Sequence, residues 1–135
     1  MIDYKPETYF NGKLYKHISN NLIQNDFIEF KLVFNEYSCD QNGEVDKGLI
    51  MAIIDQFSAM MICTFDPNTN SPYSINISFS SYKEVFPNIE YTFVSKVLYQ
   101  MGKTLITENI IYDNERQICK YCLHTQRKNK IKPKF

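Results

Sequence analysis

Histidine is scarce in this 135-residue chain: His17 and His124 are the only two. That is too few for a histidine-rich metal centre, and His124, in a late strand-like stretch, reads as structural. Net charge is missing as well. Fifteen Lys and Arg balance fifteen Asp and Glu, so no overall field gathers nucleic acid or an anionic membrane. There are four cysteines, but no second pair completes a four-thiolate site around Cys119-Lys-Tyr-Cys122. Those two thiols lie three apart in an alternating stretch, so on a strand they face opposite sides. Free thiols are therefore expected. The opening MIDYKPETYF lacks the basic-then-apolar pattern of a secretory leader, and Asp3 and Glu7 run against a transit peptide. An intracellular, cytoplasmic protein is expected, with organellar targeting left open.

What the chain does have is ordinary for a globular domain, with 44% apolar and 22% charged residues. Its length suits one domain over 1–135 with a proper core. Residues 1–25 read as an N-terminal extension or first strand, with a short strand near 13–18. Residues 127–135 read as a basic tail without interleaved aromatics for base stacking. FIEFKLVF at 27–34 alternates like a strand, and the Asn-Gly of 38–48 signals a turn. GLIMAIIDQFSAMMICTF at 48–65 follows, apolar on nearly all sides, and DPNTNSP ends it. Strand-like runs come next at 73–80, 90–99, 103–113 and 117–125. An α+β protein is expected, with an antiparallel meander of five or six strands wrapped around one long buried helix. That is the hotdog architecture.

The helix contains an anomaly. Asp55 sits in its middle, and Asp55, Gln56 and Ser58 together make a membrane span a poor reading. A carboxylate in an apolar setting needs a partner or a task. Ser58, one turn on, could satisfy or orient it. Met60 and Met61 read as core packing.

DQNGEVDKGLIMAIID at 40–55, with GKTL at 102–105 and LHTQRK at 123–128, resembles the hotdog-fold acyl-CoA thioesterases, in the phenylacetyl-CoA thioesterase-like branch. The family carries an Asn, a Gly three residues on, His-Gly-Gly, and an Asp nine residues after that His. Here these positions hold Asp40, Gly43, Asp46-Lys47-Gly48 and Asp55. The resemblance implies that Asp55 is the catalytic base or nucleophile. It implies that the Lys47 N–H, with Gly48, receives the oxyanion, and that Asp40 takes the place of the water-holding Asn. Asp46 stands where the family has His. Ser74 matches a Ser near the pantetheine arm or the catalytic Asp, and Ser58 lies on the Asp55 stripe. Gly102, Lys103, Thr104 and Arg127 correspond to regions that approach the nucleotide of coenzyme A. No cofactor is implied beyond the coenzyme A of the substrate, and no metal.

Lys47 and Asp55 are eight residues apart, which is roughly 12 Å along one helix. They do not flank one carbonyl within a single chain, so a dimer or dimer of dimers with a shared site is expected. Asp40 would then lie across that interface from Asp55. Two acids in one poorly solvated pocket resist ionising together, so a protonated Asp40 is expected to donate as an Asn amide would. Three functions compete: acyl-CoA hydrolysis; a non-catalytic acyl-CoA binder whose loop at 40–48 has lost turnover; and a hotdog hydratase or dehydratase, disfavoured because no His follows its usual pattern.

Overall fold

Alternation builds most of this fold. In the strand Phe27–Phe34 every second side chain is fully buried: Ile28, Phe30, Leu32 and Phe34. The same period of two gives Leu105, Thr107, Asn109 and Ile111 in one strand, and Lys120, Cys122, His124 and Gln126 in another. The structure is a computed structural model. It describes residues 26–69 and 72–129 in full, and 15–24 as backbone only.

Six strands form one sheet: β1 (Tyr15–Gln24), β2 (Phe27–Phe34), β3 (Tyr73–Ser81), β4 (Glu90–Met101), β5 (Thr104–Tyr112) and β6 (Ile118–Arg127). Their order is β1-β2-β4-β5-β6-β3, with every neighbouring pair antiparallel. Only β4, β5 and β6 form the expected meander. β3 returns to the far edge beside β6, and β1 extends beyond the short strand expected near 13–18.

The helix α1 (Lys47–Phe65) connects β2 to β3 and lies against β4, β5 and β6. Its Phe57 ring packs at 5.0 Å from Phe30 and 4.9 Å from Phe93. Such a fully buried aromatic contributes roughly 3–5 kcal/mol against truncation to Ala. Met60 and Met61 belong to the same core, as expected. The fold is a hotdog: one helix packed against an antiparallel sheet.

One expectation needs correction. The helix is apolar enough by length and composition to cross a membrane, at a mean hydropathy of 1.7, yet only 39% of that window is buried by this chain. Met51, Ala52 and Asp55 lie on an uncovered face. The sheet does not wrap the helix on most sides, because β3, the strand nearest that face, is the sheet edge.

Candidate active site

Asp55 stands on the uncovered helix face with its side chain 54% exposed. It is not the buried carboxylate that its apolar neighbours suggest. It lines a cavity of about 570 Å³ with Ala52, Gln56, Ala59, Pro72, Tyr73 and Ser74. The helix supplies one wall and the start of β3 the other. Gln56 Oε1 is itself buried and has no hydrogen-bond partner among the described residues.

The partner of Asp55 is Ser74, not Ser58. Ser74 Oγ donates to Asp55 Oδ1 at 3.1 Å and lies 2.7 Å from His124 Nε2. Ser58 Oγ lies 2.6 Å from His124 Nδ1 and 3.0 Å from the Asp55 backbone carbonyl. The sheet register explains the meeting. The inward row of β6 passes beneath the edge strand, with Ile77 opposite His124 and Ser74 opposite Gln126. A register shift between Ser74 and Asn76 adjusts the strand at this point.

His124 is fully buried. Burial holds its imidazole below the ordinary value, and the nearby Asp55 carboxylate only partly opposes that. The 3.6 Å approach of His124 Nε2 to Asp55 Oδ1 is therefore a contact of a neutral ring with a carboxylate near pH 7, not an ion pair. Reading His124 as merely structural missed its place here. A signal was present in the sequence: the inward positions of β6 carry Lys120, His124 and Gln126, a polar row where an apolar one is usual.

The residues matched to the nucleotide end lie close by. Arg127 pairs with Thr104 on one side and with Tyr73, next to Ser74, on the other. Gly102, at φ +57°, and Lys103 form the tight β4–β5 turn. The Lys103 carbonyl accepts from the Lys128 N–H at 2.7 Å. This end of the sheet thus brings Asp55, Ser58 and Ser74 within a strand or two of Gly102, Lys103, Thr104 and Arg127.

Asp40, Asp46, Lys47 and Gly48 lie at the other end, around the helix start. Asp46 is the N-cap: its Oδ1 accepts from Gly48 N at 2.7 Å and Leu49 N at 3.2 Å. The Gly48 N–H is therefore already committed, which leaves the Lys47 N–H as the remaining donor of the expected pair. Asp40 Oδ1 accepts from Asn42 N at 2.8 Å and Glu44 N at 3.2 Å, closing the turn that Gly43 makes at φ +77°. That oxygen acts as the turn's acceptor. The Lys47 ammonium reaches Glu84 at 3.8 Å, and the fully buried Lys120 donates to Ser81 Oγ at 2.6 Å. Burial lowers the Lys120 ammonium from its ordinary value. Burial raises the Cys119 thiol, and raises Cys122 to about 11, so neither is activated as a thiolate. Among the described residues no three His, Cys, Asp or Glu side chains gather as metal ligands.

No family model matches the sequence, and no curated protein matches it by sequence. Solved structures do match in fold. A hypothetical thioesterase with coenzyme A from Streptococcus pneumoniae TIGR4 superposes with a TM-score of 0.76, covering 88% of this chain and 91% of that one at 13% identity. The chain folds as thioesterases do. Thioesterase superfamily member 2 from Mus musculus gives 0.76 at 12% identity over 90% of each chain. The PaaI protein from the phenylacetic acid degradation operon of E. coli gives 0.75 at 11% identity, over 90% and 88%. At such identities the likeness concerns the fold, and thioester chemistry enters through it only at that level.

Proposed function

We propose that this protein hydrolyses acyl-CoA thioesters to the free acid and coenzyme A, with Asp55 as the base or nucleophile. The observation that carries this reading is a solvent-reached carboxylate on a hotdog helix, braced by Ser74 at the wall of a 570 Å³ cavity. Hydrolysis of a thioester needs an activated water or a carboxylate nucleophile; the thiolate leaves readily, so no strong acid is required. Asp55 is open enough to meet a water and fixed enough to aim at it. Lys103 and Arg127, exposed at the adjoining edge, suit the coenzyme A phosphates.

The oxyanion donor has to come from a second copy. Within one chain the Lys47 N–H is a helix half-length from Asp55, roughly 12 Å by helical rise. The uncovered face of α1 and the edge strand β3, with Tyr73, Ile75 and Ile77 exposed, form one apolar surface suited to a two-fold pairing. In that pairing the helix start of one protomer meets Asp55 of the other. Sedimentation is the check: a dimer or larger assembly is expected, and a stable monomer with full activity overturns the shared site.

One observation favours the second reading, a non-catalytic acyl-CoA binder. The Asp46 carboxylate occupies two helix-start N–H groups and puts negative charge near the place where an oxyanion would form. Thiol release from a panel of acyl-CoAs, measured beside the thermal shift with coenzyme A, separates the two. Release supports the hydrolase; a shift without release supports the binder.

A further inference from the structure

Proton counting in the buried cluster decides more than its distances do. Ser74 has one hydroxyl proton and two acceptors in reach, His124 Nε2 at 2.7 Å and Asp55 Oδ1 at 3.1 Å. Ser58 likewise has one proton for His124 Nδ1 at 2.6 Å or the Asp55 carbonyl at 3.0 Å. A neutral imidazole carries one N–H, so two arrangements exist. With the proton on Nδ1, the Ser74 hydroxyl points at the ring and turns its lone pairs towards a carboxylate. With the proton on Nε2, each contact has one donor: Ser58 O–H to Nδ1, Nε2–H to Ser74 Oγ, Ser74 O–H to Asp55 Oδ1. The second arrangement ends on a charge-assisted bond, which is about twice as strong as a neutral one. It gives up only the bond from Ser58 to a carbonyl that lies inside the helical ladder.

We propose that His124 is a positioning residue for Asp55: in its Nε2–H tautomer, fixed from behind by Ser58, it holds the Ser74 hydroxyl so that its proton is aimed at Asp55 Oδ1. This rests on the hydrolase reading for its purpose, and on geometry alone for the tautomer. An exposed carboxylate on a helix has free rotamers; one braced by a hydroxyl that is itself locked by a buried ring keeps a single orientation towards the cavity. The groups within reach of the ring are Asp55 and Ser58 from α1 and Ser74 from β3; Cys122 shares the inward row of β6, and Thr107 Oγ1 of β5 donates to the His124 carbonyl at 3.3 Å. Among these named groups Asp55 is the one acidic side chain.

The first arm of the test is nitrogen NMR on the full chain labelled at histidine, with His17→Gln assigning the other ring. The expected result is an Nε2–H imidazole whose titration midpoint drops by about one unit in Asp55→Asn, the size expected for losing an adjacent opposite charge. An Nδ1–H ring, or a midpoint that Asp55→Asn leaves in place, overturns the proposal whether or not the protein is an enzyme. The second arm is kinetic. His124→Gln sets an amide nitrogen close to Nε2 and should keep kcat within about threefold. His124→Asn reaches only the Ser58 side and should lose about tenfold or more in kcat with KM unchanged. Equal losses in the two variants would mean packing alone and overturn it. So would an acyl adduct on Ser74 in the intact mass, which would make His124 the base of a nucleophilic hydroxyl. If the wild type releases no thiol, the hydrolase reading fails separately, and the tautomer and its Asp55 dependence decide this proposal alone.

Discussion

The start and the middle of α1 use carboxylates in opposite ways. At its start, Asp40 and Asp46 each place one oxygen on two backbone N–H groups, closing a turn and capping the helix. At its middle, Asp55 receives one hydroxyl and is otherwise open to a cavity. The acids are alike as chemical groups. What differs is whether the backbone already occupies one of their two oxygens. A carboxylate spent on capping stabilises the fold, whereas one held by a single side chain is available to a water or a carbonyl. Asp55 is thus the carboxylate left open to a cavity, while the loop acids each have one oxygen bonded to the backbone close to where chemistry is proposed.

The strongest way to break this contrast is Asp55→Asn. It should lower kcat for thiol release by about 100-fold or more, the scale of a lost positioned base, with the melting temperature nearly unchanged because the side chain is more than half exposed. Unchanged turnover would return Asp55 to a surface residue braced by chance. The converse experiment is Asp46→Ala. Losing the cap should cost about 1 kcal/mol in urea unfolding, and Asp46→Asn, which keeps an acceptor, only a few tenths. If Asp46→Asn instead abolished turnover without loss of stability, the loop would be chemical, not structural.

Acidity separates the buried imidazole from two bonded carboxylates elsewhere in the fold. Burial depresses the His124 imidazole in the fold, so below about 6.5, its ordinary value, the unfolded chain takes up a proton that the folded chain refuses. Stability should therefore be level above that pH and fall as pH drops towards the folded value, and His124→Gln should remove this fall. Asp66, held down by its bond from Lys128, and Asp113, held down by the Gln117 N–H, work in a lower window. Their contribution is present above about 4 and lost as pH falls through their depressed values. Thermal unfolding from pH 8 to pH 3 resolves both steps, and a single low step would contradict the buried neutral His124.

How far the sequence carried this picture depends on the reach of each interaction. Alternation in 27–34 and the turn residues at 40–48 and 66–72 act over a few positions, so strands, helix and turns were legible. Asp55 was legible as an anomaly, and its likeness to thioesterases pointed to Ser74. Its exposure was not legible, because that depends on β3 returning to the sheet edge instead of covering the helix. The roles of Ser58 and His124 were hidden for the same reason: fifty residues separate His124 from Ser74, and only the β3–β6 register brings them together. The turn role of Asp40 was hidden for a different reason. Substitution for an Asn suggested an equivalent donor, but the local turn recruits the oxygen, which Asn and Asp share.

That shared oxygen yields the smallest and sharpest prediction. Asp40→Asn keeps an acceptor for the Asn42 and Glu44 N–H groups, since an amide oxygen has two lone pairs like one carboxylate oxygen. Its cost in unfolding free energy should stay within about 0.5 kcal/mol, as for a surface change that breaks no special feature. Asp40→Ala removes the acceptor, leaves two N–H groups to water and should cost about 1 kcal/mol. On thiol release the two should also part: Asp40→Asn leaves the loop shape and so the Lys47 N–H in place, while Asp40→Ala loosens both. The pH profile is the decisive readout. If Asp40 works as a protonated donor beside the oxyanion, wild-type kcat/KM falls on the alkaline side and Asp40→Asn abolishes the fall. If it is the turn acceptor that the geometry describes, the two profiles superimpose from pH 6 to pH 9. Superposition sharpens the division between the start and the middle of the helix, and an alkaline fall confined to the wild type would erase it.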